Sequence, residues 1–118
     1  MSHWMKAASI GGFLVAAGCA TTPKPIEQLG QTEGAYRSAQ EVGADHVPQA
    51  ALELKLAQEE LTRAQELMKD DRNDEAIQML VRSRADAELA LALTHESQAR
   101  VAAHGADDQL KAVKQSIQ

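Results

Sequence analysis

The residue with the clearest chemistry in this sequence is Cys19, the only cysteine among 118 residues. Before it, Lys6 supplies a positive charge, and residues 7–17 are apolar or small apart from one serine. A short charged segment, then roughly 7–15 apolar residues, then small residues is typical of a secretory signal. The apolar stretch is shorter than the ~20 residues that a membrane-spanning helix needs. The sequence therefore predicts a signal peptide that ends among the small residues before Cys19.

The four residues Ala16-Ala17-Gly18-Cys19 resemble the lipobox of bacterial lipoproteins. They depart from it at Ala16, where that family more often has Leu. The resemblance implies a signal peptide over residues 1–18, cleavage between Gly18 and Cys19, and diacylglycerol on the Cys19 sulfur. It also implies acylation of the new amino terminus, typically with palmitate; several acyl chains anchor a protein far better than one. Two alternatives are an ordinary secretory signal with an incidental cysteine, and a buried core thiol.

No other set of residues has the spacing of a catalytic or metal site. The candidates are His46, His95 and His104 for a metal, Glu59 and Glu60 for acid–base chemistry, and Ser97 near His95 for a nucleophile. The histidines are too far apart to share one helix face. Residues two apart on a helix point in different directions. The acidic residues 70–75 lack the Gly and the final Glu of a calcium loop. We expect no enzyme activity, no metal ion and no cofactor.

The composition narrows the classes of partner. Only Lys6 of the 12 Lys and Arg residues lies before Cys19, whereas all 17 Asp and Glu residues follow it. An acidic mature chain argues against nucleic acid as a partner. Tyr36 is the only aromatic residue after Cys19, so stacking platforms for bases are absent. About 100 mature residues make one domain at most.

Residues 19–25 are predicted to be a lipidated tether. Pro23 and Pro25 oppose helix and favour extended backbone, which could hold the domain ~20 Å from a bilayer. Apolar residues at helical spacing then predict a first helix from Ile26 to Val42. Gly43 suits the residue after a helix end, and Pro48 suits the first turn of the next helix.

Two further helices carry regular seams of small and apolar residues. Pro48 to Lys69 has a heptad seam, at Val47, Ala50, Leu54, Ala57, Leu61, Ala64 and Met68. Asp74 to about Ala103 has another, at Ala76, Leu80, Ser83, Ala87, Ala90, Thr94, Ser97 and Val101. The short link between them predicts antiparallel neighbours, with Asp71 or Asn73 capping the third helix.

These patterns predict an all-α protein. We expect either an antiparallel helical hairpin or a three-helix up-down-up bundle with coiled-coil-like Ala/Leu seams, following the signal helix and the extended tether. The helical domain is predicted over residues 26–104. Gly105 is expected to break the third helix, leaving residues 105–118 as a tail or a short helix with Leu110, Val113 and Ile117 on one side.

From Glu33 to Ala92 the pattern resembles the lipoprotein family called domain of unknown function 4398. The residues that carry the resemblance are Ala35-Tyr36, Ala39, Val47-Pro48, Leu54, Ala57, Glu75-Ala76 and Ala85-Asp86-Ala87-Glu88-Leu89-Ala90. The resemblance implies an envelope lipoprotein with a helical hairpin or bundle. It supplies no catalytic residues.

The function expected from these features is that of a structural or adaptor lipoprotein. Lipid at Cys19 would anchor it in the cell envelope. In Gram-negative bacteria the lipobox resemblance, with Ala rather than Asp at position 20, implies transfer to the outer membrane, facing the periplasm. Its partners would be the membrane and another envelope protein, and self-association fits the thin Ala/Leu core. The alternative is a helical periplasmic carrier or chaperone for a lipid or an unfolded segment. The leucines that motivate it, at Leu52, Leu56, Leu67, Leu89 and Leu93, are expected to be core against the first helix.

Overall fold

The computed structural model describes residues 21–117. The predicted signal peptide and Cys19 therefore lie outside the described residues. Three helices make up nearly all of the described chain: α1 at Ile26–Glu41, α2 at Pro48–Lys69 and α3 at Asn73–Ser116. A short 3-10 turn, Ala44–His46, separates α1 from α2.

The three helices pack as an up-down-up bundle, so the predicted all-α fold is confirmed in its three-helix form. Near one end, the Thr32 hydroxyl of α1 lies 3.3 Å from the Leu80 carbonyl of α3. Toward the other end, Gln98 of α3 donates to the Val42 carbonyl at the end of α1. The helix α1 therefore runs parallel to α3 and antiparallel to α2.

The turn between α1 and α2 forms as predicted. Gly43 has φ 84°, in the left-handed region where a side chain is strained, and its N–H donates to the Gln40 carbonyl. Val47 is extended, and Pro48 opens α2 at a position where its missing N–H costs nothing. Gly43 and Pro48 thus fix where α1 ends and α2 begins.

The turn between α2 and α3 differs from the prediction in how α3 is capped. Asp71 has φ 56°, a left-handed conformation that Asp tolerates better than most residues, and the Arg72 N–H donates to the Leu67 carbonyl. The residue before α3 is Arg72, and no side chain caps the helix. The capping role predicted for Asp71 or Asn73 is therefore wrong. Arg72 instead donates twice to Glu75 in the first turn of α3.

Most of the core consists of the predicted seams of α2 and α3, to which Ala39, Ala44 and Leu67 add. Fully buried alanines alternate with leucines on α2, at Ala50, Leu54, Ala57, Leu61 and Ala64, and the buried apolar residues of the α3 seam are Ala76, Leu80, Ala87 and Ala90. The small side chains let the helix backbones approach closely, and Ser83 donates 2.7 Å to the Ala57 carbonyl of the facing helix. The α3 seam is exposed only at its far end, where Val101 is 70% exposed. The helix α2 begins at Pro48 and therefore does not extend far enough to cover Val101.

The predicted break at Gly105 is wrong, since α3 continues through it to Ser116. A glycine inside a helix costs only ~1 kcal/mol relative to Ala. Ala102, Ala103 and Ala106, which have the highest helix propensity, flank Gly105, and Lys111 pairs with Asp107 one turn away. The helix of 44 residues is about 66 Å long, twice the length of α2. Every residue from 101 to 117 is exposed.

Candidate functional site

The first described residues are fixed to one end of the bundle. The Thr22 hydroxyl donates 2.7 Å to Asp74, and Asn73 donates 2.7 Å to the Thr22 carbonyl. Lys24 lies 3.5 Å from Asp71, and Pro25 is buried. The backbone of residues 21–25 is non-helical as predicted, but it does not run free: it lies along the α2–α3 turn. The acidic residues considered for calcium therefore hold this extended segment.

The other end of the bundle has a surface groove of about 390 Å³ between α3 and the start of α2. Its apolar side is formed by Val47, Leu93 and Val101. Glu96 and Arg100, which form an ion pair one turn apart on α3, lie beside it. The groove marks the point where α3 leaves the bundle.

A second groove, of about 420 Å³, lies between α1 and α2. Tyr36 and Leu54 contribute its apolar surface, and the ion pair of Lys55 with Glu59 lies along its rim. Leu52 and Leu56 on the same helix are 58% and 38% exposed. Neither of these leucines lines the α1–α2 groove, so α2 exposes them on a different part of its surface.

The five leucines considered for a carrier divide between core and surface. Leu67 is buried, and Leu93 is half-buried against the cluster around Leu54. Leu52, Leu56 and Leu89 remain exposed. The expectation that all five are core is therefore wrong, because the short α1 covers only one side of the α2–α3 pair.

The projecting half of α3 carries the largest set of exposed apolar side chains. Leu110 is 52% exposed, Val113 54% and Ile117 78%. They lie on one side of the helix, as the sequence predicts. In the described part of the chain, nothing packs against them.

The other candidate residues are spread over the surface. His46, His95 and His104 are exposed and lie on different elements or different turns, and Ser97 is half-buried. Glu59 forms its ion pair with Lys55. Over residues 21–117, no three His, Cys, Asp or Glu side chains cluster as a metal site would require.

Sequence reasoning missed the environment of Glu60. The sequence pairs it with Glu59 as a candidate for acid–base chemistry, but the two differ in environment. Glu59 is exposed, whereas Glu60 is partly buried beside α3, and one of its carboxyl oxygens is buried without a hydrogen-bond partner. Burial raises the pKa of Glu60, the neighbouring Asp86 raises it further, and Arg82 partly offsets both. Two ionised carboxylates can only accept hydrogen bonds, so this contact is satisfied only when one of them is protonated. The sequence feature that indicates this burial is the position of Glu60, which directly precedes Leu61 and follows Ala57 by three residues in the α2 seam.

No helix among residues 21–117 is both apolar and long enough to span a membrane. The family model described as Domain of unknown function (DUF4398) matches residues 27–106. No curated protein and no solved structure matches the chain.

Proposed function

The chain belongs to the DUF4398 family, and from that premise we propose that it is a non-enzymatic lipoprotein of the cell envelope. In this proposal, lipid at Cys19 anchors the chain to the outer membrane, and the helical bundle is an adaptor that docks another periplasmic or outer-membrane protein. The observation that carries the proposal is the division of the molecule into an end that holds the extended segment and a long exposed helix pointing away from it.

The anchored end follows from the contacts of Thr22. Asn73 and Asp74 hold Thr22 at the first turn of α3. Cys19 is three residues earlier in the sequence, and an extended chain spans at most ~3.3–3.6 Å per residue. Lipid at Cys19 would therefore hold this end of the bundle about 10 Å from the bilayer, half the distance that a free tether would allow.

The docking role rests on what lies at the opposite end. From its start beside Thr22, α3 extends about 66 Å, and its last third is exposed on all sides. A monomeric domain rarely exposes contiguous apolar surface without a use. An anchored module with a projecting helix is suited to reaching a partner.

The anchor can be tested directly. We expect the wild-type chain to fractionate with membranes and to incorporate labelled palmitate, and we expect Cys19→Ala to do neither. Ser9→Ala, a small change inside the signal that leaves Cys19 in place, is the matched control. A Cys19→Ala chain that still carries the label would contradict lipidation at this residue.

Docking can be tested by photo-crosslinking in whole cells. A photoreactive amino acid at Arg82 probes the bundle, and one at Lys111 probes the projecting helix. We expect one discrete adduct with another protein from at least one position, lost when Cys19→Ala is added. No adduct with another protein from either position would overturn the adaptor role.

A carrier or chaperone is the second candidate, favoured by two separate features of α2: the exposed Leu52 and Leu56, and the α1–α2 groove. The groove has the volume of a small-ligand pocket. Native mass spectrometry of the full chain would show a bound lipid if this candidate is right. We would then expect Leu52→Ser to reduce the lipid-bound fraction and Val81→Ser, at an equally exposed position on α3, to leave it unchanged.

A further inference from the structure

The exposed half of α3 carries a heptad seam of its own. Residues spaced alternately by four and three are all exposed and all apolar; they are Ala99, Ala103, Ala106, Leu110, Val113 and Ile117. At about 100° per residue, these six positions fall within a single narrow strip of the helix surface. We call them the distal seam. A sustained alternation of this kind is the pattern by which one helix packs against another.

The distal seam is not a continuation of the core. The bundle-facing seam ends at Val101, and the same spacing carried forward gives only polar residues, namely His104, Asp108, Lys111 and Gln115. The distal seam is displaced from the bundle-facing one by two residues, which is about 200° around the helix. It therefore faces away from the side on which α2 packs. The apolar surface changes sides at the point where α3 leaves the bundle.

We propose that the distal seam pairs with the distal seam of a second copy of this chain, with the two α3 helices antiparallel. The charged residues beside the distal seam favour an antiparallel second copy as the partner. Asp107 and Lys114 follow Ala106 and Val113 along the same edge of the strip. Lys111 takes Asp107 and Asp108 as partners within the helix, and no acidic group of the described residues pairs with Lys114.

The direction of the pair follows from that edge. In a parallel pair, Asp107 and Lys114 face the opposite edge of the second helix, which carries the uncharged residues Ala102, Gln109 and Ser116. In an antiparallel pair related by a twofold axis, the edge that carries Asp107 and Lys114 faces the same edge of the second copy. Asp107 then lies beside Lys114 of the second copy, and the contact occurs twice.

The same register gives a complementary seam. Leu110 packs against Val113 of the second copy, and Ala106 packs against Ile117 of the second copy, each contact again occurring twice. Four layers over about three turns make an interface at the small end of those that form specific complexes. We therefore expect association that depends on protein concentration.

Cysteine crosslinking of the full-length chain, in detergent extract and over a range of protein concentrations, tests the pair and its direction. Two chains with different tags are co-produced, one with Leu110→Cys and the other with Val113→Cys, and oxidised with copper phenanthroline. We expect a disulfide joining the two tags, at higher yield than the disulfide either variant forms with itself. The wild-type chain, with Cys19 alone, gives the background.

Charge reversal tests the contact that selects the direction. We expect Asp107→Lys to lower the crosslink yield several-fold, because it places like charges together twice. Adding Lys114→Asp should restore the yield. Asp108→Lys is the matched control: it makes the same charge change and also loses a contact with Lys111, but on the face opposite the seam.

Three results would overturn the proposal. The first is a disulfide only between like variants, which would mean a parallel pair. The second is no disulfide above background while circular dichroism shows an intact helix. The third is crosslinking only to another protein, or Leu110-dependent binding of the chain to phosphatidylglycerol vesicles, either of which would give the seam a different occupant. The adaptor role stands apart from all three, because the Arg82 and Lys111 probes lie off the seam.

Discussion

At the scale of single residues, the alanines of the core decide how close the helices come. Ala57 and Ala87 are fully buried, and Ser83 reaches the Ala57 carbonyl because no bulk separates the two backbones. Adding atoms to a side chain at such a position is costly, since each small side chain marks a close approach of two helix backbones. Beside this core, Glu60 brings a carboxyl group to the edge of the packed surface.

Enlarging a buried alanine should be costly. We expect Ala87→Leu to lower the free energy of unfolding by about 1–3 kcal/mol, because the extra carbons must push α2 and α3 apart. Ala85→Leu adds the same atoms on the exposed side of the same helix and should change it by less than about 0.5 kcal/mol. Urea denaturation of both variants measures the difference; equal effects would contradict the close approach.

The Glu60 carboxyl should make stability depend on pH. Its pKa is raised in the folded state by burial and by Asp86, so its contribution is complete below the unfolded pKa and is lost as pH rises through the folded pKa. Glu60→Gln keeps the shape without the charge, and we expect it to stabilise the protein at neutral pH and to have little effect in acid. Thermal melting from about pH 4 to about pH 8 measures this.

The control for this change is Glu59→Gln on the solvated face. Glu59 pairs with Lys55 at the surface, so we expect no gain in stability at neutral pH from removing its charge. A gain as large for Glu59→Gln as for Glu60→Gln would mean that net charge, and not the contact with Asp86, sets the pH dependence.

At the scale of elements, two glycines have opposite roles. Gly43 sits at φ 84° in the turn after α1, and a Cβ there would also meet His46 at 3.5 Å. We expect Gly43→Ala to destabilise the bundle by about 1–2 kcal/mol, the cost of a left-handed residue with a side chain. Thermal or urea denaturation measures it; an unchanged midpoint would contradict the strained turn.

Gly105 lies inside α3, and a Cβ there would meet nothing within 4 Å. We expect Gly105→Ala to strengthen the projecting helix locally by about 0.8–1.0 kcal/mol without moving the melting of the bundle. Hydrogen exchange of the amides in residues 105–116 measures the local effect. Faster exchange in the variant would contradict a continuous helix through this position.

The sequence predicted these elements well where spacing alone decides them, and poorly where context does. The Ala/Leu spacing of α2 and α3 placed the core, and Gly43 and Pro48 placed a turn. Gly105 was misjudged because intrinsic propensity is weak beside the favourable neighbours that continue the helix. Glu60 was misjudged because its exposure depends on the neighbouring helix α3, which a pattern read along α2 does not contain.

At the scale of the whole molecule, the bundle and the projecting helix are separable. Residues 101–117 are exposed throughout, and the buried core ends at Thr94 on α3. We expect removal of residues 105–118 to leave the melting temperature of the bundle within a few degrees of the full chain, since no buried apolar contact is lost. Circular dichroism melting at low protein concentration measures this, and a large drop would show that the bundle depends on the projecting half.

The contacts of Thr22 have a mechanical consequence. Because Asn73 and Asp74 hold the extended segment at the first turn of α3, tension between that segment and the far end of α3 passes along this one helix. The helices α1 and α2 lie beside the line of force rather than within it. Successive turns of α3 are in series along this line, so each turn bears the whole load through its about 3.6 hydrogen bonds. The helix α3 is thus the element that carries tension. A pull along α3 loads α1 and α2 only after the hydrogen bonds of Thr22 with Asn73 and Asp74 have broken.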